Sequence, residues 1–200
     1  RPNECCQAIR ERASVCLAGN HDLGVLGTID LDEFSGEAAT AAQWTRTILD
    51  EEARAFLNGL RPSAEAQGLE LFHASPVDPV WEYVLTGEAA RAALDATRAA
   101  AVLVGHSHVA LALTPENGGI AGGTAPAGSS AEFGERRFLL NPGSVGQPRD
   151  GDPRAAFLLL DLEARRAEFH RVEYPIAYTQ REIAAAGLPS ILGQRLAFGQ

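Results

Sequence analysis

Four of the five histidines stand where a strand pattern stops. His21 lies in Gly19-Asn20-His21-Asp22, His73 in Phe72-His73-Ala74-Ser75-Pro76, and His106 and His108 in Gly105-His106-Ser107-His108. Imidazole is the commonest side-chain metal ligand and exchanges protons near neutral pH. In extended chain, histidines at i and i+2 project from one side about 6.5–7 Å apart. His106 and His108 can then reach one metal, or two metals about 3.5–4 Å apart. Alone, such a pair is more often two solvated loop histidines; the other polar tips reverse that balance. His170 sits inside a strand pattern and reads as an ordinary hairpin residue.

The elements that must place these side chains follow from periodicity. Ala101 to Val104 is a short apolar run closed by Gly105, a buried strand whose tip has left its sheet. Ser14 to Ala18 reads as another strand ending at Gly19, and Leu69 to His73 as a third. Helical spacing is expected over Glu4 to Arg12, over Ser35 to Leu49 with Ser35 as N-cap, over Asp50 to Asn58 closed by Gly59, and over Gly87 to Thr97. Alternation of helix and strand is the mark of a layered α/β domain, in which sites form at strand ends. Beyond His108, a strand is expected over Val109 to Thr114. Pro115 to Glu135 is rich in glycine, alanine and serine, a flexible hairpin extension or a lid. Arg137 to Leu140 resumes a strand and meets Asn141-Pro142-Gly143-Ser144-Val145-Gly146, an architectural turn beneath the site, with Arg149 just after it in reach of a substrate phosphate. Ala156 to Leu162 and Arg165 to Glu173 form a hairpin, and short helices are expected from Gln180 and from Pro189.

The chain has 200 residues, 46% hydrophobic and 22% charged, enough for one substantial core and a single domain over 1–200. A net charge of −9 argues against a nucleic-acid or anionic-membrane footprint, and an anionic substrate would need a local cation to invert the field. Cys5, Cys6 and Cys16 have no zinc-ligand spacing and make a sparse disulfide framework; a reducing cytoplasm is the simpler setting. No apolar run is long enough for a membrane span.

The four polar tips, in this order, resemble the calcineurin-like metallophosphoesterase family, and within it the small bacterial phosphodiesterase branch. The resemblance implies an α/β (α+β) fold, a four-layer αββα sandwich of two mixed β-sheets flanked by helices. It also implies two divalent metal ions, Mn, Fe, Co, Ni or Zn, with Mn favoured. By the same resemblance Asn20 is an amide-oxygen ligand of the second metal, His73 and His106 are imidazole ligands of that metal, and His108 is a ligand of the first. His21 contacts the substrate phosphate and protonates the leaving oxygen, with Asp22 holding its ring. The family also carries Asp-x-His and Gly-Asp motifs upstream, and neither is present here. Arg1 to Cys5 resembles the family's segment just after Gly-Asp, and the chain holds no methionine, so the first strands and three further ligands are expected before Arg1. The implied activity is hydrolysis of a small phosphate ester, a phosphodiester first, by a hydroxide bound to two metals. A phosphomonoesterase or dinucleoside polyphosphate hydrolase, and a non-catalytic scaffold on the same fold, are the rivals. Oligomeric state is open.

Overall fold

The computed structural model describes all 200 residues. Six strands form one sheet in the order β1-β2-β3-β7-β4-β5, and three form a second in the order β6-β9-β8. The first sheet is mixed. Strands β2 (Leu69–Phe72), β3 (Ala101–Leu103) and β7 (Phe138–Pro142) run parallel, while β1 (Ser63–Ala66), β4 (Ala110–Glu116) and β5 (Gly119–Thr124) pair antiparallel. The second sheet, β6 (Ser130–Glu132), β8 (Ala155–Asp161) and β9 (Arg166–Val172), is antiparallel throughout. The seven helices are α1 (Pro2–Arg12), α2 (Asn20–Leu26), α3 (Gly36–Ile48), α4 (Glu51–Asn58), α5 (Gly87–Asp95), α6 (Ile176–Ala185) and α7 (Ser190–Gln194).

Strand β7 shows why the sheets pack as they do. It is apolar at successive positions because both of its faces are covered. Leu139 joins Val102, Leu111 and Leu113 beneath Ala90, Ala93 and Leu94 of α5. Phe138 and Leu140 face the opposite way, toward Ala167 and Phe169 of the second sheet. Leu139 and Leu140 are 0% exposed, and burial of each is worth about 1.5–3 kcal/mol. A third cluster, from Val25, Ala42, Leu49, Ala53 and Leu57, binds α2, α3 and α4 together. Cys6 packs against it, whereas Cys5 is exposed.

Two expectations change. Ser14 to Ala18 is not a ladder strand: its backbone bond to the neighbouring chain segment is Ala18 N–H to Arg61 O, 2.9 Å, and no strand pairs along it. The polar tip after it is the first turn of α2, which the short Asn20–Leu26 stretch concealed. The glycine-rich segment is the hairpin extension and not the lid, because β5 pairs along β4 and β6 joins the second sheet. Asn117 and Gly118, both at positive φ, close the β4–β5 hairpin, as Gln67 and Gly68 close β1–β2. Left-handed conformation at two central residues matches the twist of the flanking strands.

Candidate metal centre and active site

Because β2, β3 and β7 are parallel neighbours, their C-terminal tips emerge on one edge of the sheet. They bring together His73, the Gly105–His108 loop and the Asn141–Gly146 loop. Asn20 is added by α2. Gly19 is the extended N-cap of that helix, and Asn20, its first residue, is 6% exposed. The Asp22 carboxylate accepts the Gly19 N–H at 2.7 Å. An acid at the third helical position thereby closes its own helix end. Burial pushes its carboxyl up.

His73 N–H donates to Pro62 O, 2.8 Å, and His73 O accepts Gly105 N–H, 2.9 Å, so the tips of β2 and β3 are tied directly. A Cβ on Gly105 would stand 3.0 Å from that carbonyl. Asn20 Oδ1 lies 3.1 Å from His73 Nε2, which lies 3.2 Å from His106 Nδ1. One imidazole nitrogen cannot serve two acceptors well with a single proton. Ligands about 2.1 Å from a common cation are about 3.0–3.4 Å apart in octahedral or tetrahedral geometry, so the spacing suits a cation better than a proton.

Gly19 lets the imidazole in. A Cβ there would meet His73 Cε1 at 2.8 Å and Nδ1 at 3.0 Å, while the backbone itself is at an ordinary φ of −93°. Gly19→Ala is therefore expected to displace the ring and weaken divalent-cation binding about tenfold or more. Helix content by circular dichroism should hold, and wild-type metal affinity in this variant would refute the packing argument.

The Gly105–His108 loop is not extended. His106 (φ 58°) and His108 (φ 60°) are both left-handed, so the rings are not the same-side pair that an i, i+2 strand would give. Side chains other than glycine rarely adopt this conformation, at a cost of about 1–2 kcal/mol per residue. Asn141, fully buried, holds the loop against that cost. Its Nδ2 donates to Gly105 O at 2.8 Å and to Ser107 Oγ at 3.0 Å, and its Oδ1 accepts Gly143 N–H at 2.9 Å. The Asn141–Gly146 turn thus supports the site from below. His108 Nδ1 donates to Gln147 O, 2.7 Å, leaving Nε2 with a free lone pair. Arg149 N–H donates to His108 O, 3.0 Å.

Burial holds all four site histidines below their ordinary value, with neighbouring charges adding to it. His73 falls to about 4, from burial and then the nearby His106 and His108; His108 falls to about 4, from burial and then Arg149. Neutral imidazoles carry the lone pairs that a cation requires. Two imidazoles, one amide oxygen and a third imidazole with its outer nitrogen already oriented therefore fit a divalent cation of intermediate softness. No three His, Cys, Asp or Glu side chains are gathered around one point: His73 and His106 meet each other and the Asn20 amide, and His108 stands apart from them.

These shifts link stability to pH. His73 and His108 take up protons near 6.5 when unfolded and near 4 when folded. The unfolded chain is thus favoured as pH falls. Stability of the metal-free protein is expected to be full above about pH 6.5 and to decline toward pH 4. Urea midpoints measured across that window check it, and His73→Gln or His108→Gln should each remove about one proton from the slope.

The sequence leaves Phe34 and Tyr83 unassigned to the site and Trp81 open between core and groove wall. Tyr83 stacks on His106 with centroids 4.2 Å apart, Trp81 stands 6.3 Å from His106, and Phe34 bridges from Trp81 (5.2 Å) to His21 (5.0 Å). Trp81 is thus a wall of the site. The loop carrying Trp81 and Tyr83 is set by Ser75 Oγ, which accepts Val77 and Asp78 N–H, and by Asp78, which accepts Val80 and Trp81 N–H. An aromatic pair two residues apart soon after His73 was the available signal, but a loop has no periodicity to say where it points.

Two packed sheets whose parallel strand tips gather imidazoles and an amide oxygen are the framework of a metal-dependent phosphoesterase, the class to which the family match assigns the chain. The chain belongs to the calcineurin-like phosphoesterase superfamily, whose domain matches residues 2–165. It is 37% identical to a metallophosphoesterase from Sphaerobacter thermophilus, whose crystal structure superposes with a TM-score of 0.89 over 100% of this chain and 83% of that one. An uncharacterised protein of Methanocaldococcus jannaschii is 33% identical over 204 residues, 100% of this chain and 81% of that protein. A hypothetical protein from Pyrococcus horikoshii OT3 shares the fold, with a TM-score of 0.73 at 19% identity over 98% of this chain and 78% of that one. No helix is long and apolar enough to cross a membrane.

Proposed function

We propose that this protein is a cytoplasmic phosphodiesterase that uses two divalent cations, manganese first among them. Asn20, His73 and His106 would hold one cation and His108 the other. The observation that carries this reading is the convergence of Asn20 Oδ1, His73 Nε2 and His106 Nδ1 at 3.1–3.2 Å. When bound, two divalent cations neutralise phosphate charge and lower the pKa of water toward neutrality. The chain's own part is to fix the ligands, orient the ester and supply a proton. His21, which stands across Phe34 from Trp81, would protonate the leaving oxygen. Burial, then Arg149 and Arg195, keep its ring below the ordinary value. A phosphate beside it opposes both arginines and raises its proton affinity, which couples proton supply to substrate binding. The preference for a diester rests on the resemblance to the phosphodiesterase branch.

The test uses full-length protein loaded with Mn²⁺, assayed on bis(p-nitrophenyl) phosphate and on p-nitrophenyl phosphate. Faster turnover of the diester, with loss of about 10²-fold or more in His21→Ala, is the expected result. Preference for the monoester would replace the diester reading. Metal binding without turnover of either substrate would make the fold a scaffold.

A further inference from the structure

Two arginines beside the histidine cluster have no ion-pair partner, in a chain of net charge −9. Arg149 lines a cleft of about 530 Å³ in which its two basic neighbours are paired, Arg154 to Asp152 at 2.6 Å and Arg171 to Asp150. Its own guanidinium makes one long contact, 3.5 Å, to Gln147 Oε1. Arg195 comes from the other end of the chain, in the turn after α7, outside the residues 2–165 that match the family domain. Its Nε is buried without a hydrogen-bond partner, and Glu37 acts on it without forming an ion pair.

The C-terminal segment is strapped to the loop that carries Arg149. Gly151 N–H donates to Gly199 O at 3.1 Å, and Gln147 Nε2 donates to Gln200 O at 3.0 Å. Gly199, at φ 64°, comes so close that a Cβ would stand 2.7 Å from Asp152 N. The same loop holds His108 through Gln147 O. Gln200 N–H donates in turn to Arg195 O at 3.2 Å, so Gln147, whose side chain meets Arg149 and Gln200 and whose carbonyl holds His108, links both arginines to the histidine loop. Arg149 also disfavours the charge on Arg195. Two half-buried guanidinium groups without a carboxylate partner, one with an unused N–H, are complementary to an oxyanion, which accepts from both.

We propose that Arg149 and Arg195 form an anion subsite beside the metal centre that takes a second acidic group of the substrate, a phosphoryl or carboxyl group next to the scissile ester. The substrate class, though not the anion site, rests on the phosphoesterase reading above.

Calorimetric titration of the full-length protein, freed of metal with EDTA and dialysed into low salt, tests it with sodium pyrophosphate in one arm and sodium malonate in the other. One anion per chain is expected, with pyrophosphate tighter if the subsite takes phosphoryl groups and malonate tighter if it takes carboxyl groups. Arg195→Gln should weaken binding about tenfold or more, and Arg195→Lys less, because charge is kept and the planar fork lost. Arg149→Gln should weaken it likewise, which keeps the test open if Arg195→Gln fails to fold. Arg91→Gln, on the exposed face of α5, should bind as wild type. Absence of binding by the wild-type protein, or equal binding by it and a folded Arg195→Gln, overturns the subsite. If that happens while Mn²⁺-dependent ester hydrolysis persists, the phosphoesterase reading survives. Anion binding without hydrolysis of any ester would keep the subsite and overturn that reading.

Discussion

His106→Ala in the full-length protein is expected to lower Mn²⁺-dependent hydrolysis by more than about a hundredfold, beyond the 10–100-fold typical of outer-shell changes. In the proposed centre His106 Nδ1 is one of three donors, and its removal would leave Asn20 Oδ1 and His73 Nε2 to hold a cation alone. Metal content per chain, measured by mass spectrometry after dialysis, should fall with activity. Stability should change little. Alanine loses the stack under Tyr83 but keeps the left-handed strain of the position, φ 58°. His106→Asn separates backbone from ligand, since asparagine tolerates that conformation and lacks the imidazole. Full metal content and turnover in either variant would remove His106 from the centre.

Asn141→Leu should cost more stability than any other single change at the site, about 3–5 kcal/mol, a large fraction of the 5–15 kcal/mol of an ordinary domain. Leucine is close in size, so the loss is not a cavity. It arises because Gly143 N–H loses its one partner, and Gly105 O and Ser107 Oγ each lose one of two, around a side chain that is 0% exposed. Each orphaned buried group costs about 1–3 kcal/mol. The two left-handed histidines then lose the clamp that opposes their relaxation, and metal binding should fall with stability. Urea unfolding measures the first and metal titration the second. Ser107→Ala removes one of these bonds and should cost about 1 kcal/mol; an equal loss in both variants would show that Asn141 is not the hub.

Residues reveal structure on their own only where local rules hold. The hairpin of β8 and β9 lies within a residue or so of its expected bounds because apolar alternation and an Asp161-to-Arg165 turn act locally. Helix α4 is equally plain, since Asp50 accepts Ala53 N–H at 2.7 Å, the bond its sequence position suggests. Helix α2 is hidden because seven residues, two of them polar site groups, give too short a periodic signal. Strands β1 and β5 escape notice for a different reason. Ser-Ala-Glu-Ala and Gly-Ile-Ala-Gly-Gly-Thr have weak strand preference, and pairing with β2 and β4 overrides it.

The family, the two-sheet α/β fold and the identity of the candidate ligands were present in the sequence, because residue type and order suffice to mark polar tips after apolar runs. Their arrangement was not. The parallel order β2-β3-β7 decides that three tips share one edge, and non-local pairing of this kind leaves no local trace. The left-handed backbone of His106 and His108 depends on Asn141, more than thirty residues away, so the His-x-His spacing alone implied an extended geometry that the fold does not adopt. Arg195 comes near the loop that holds His108 only because the C-terminal segment bonds to that loop at Gln147 and Gly151, and no spacing in the sequence announces a contact made by closing the chain upon itself.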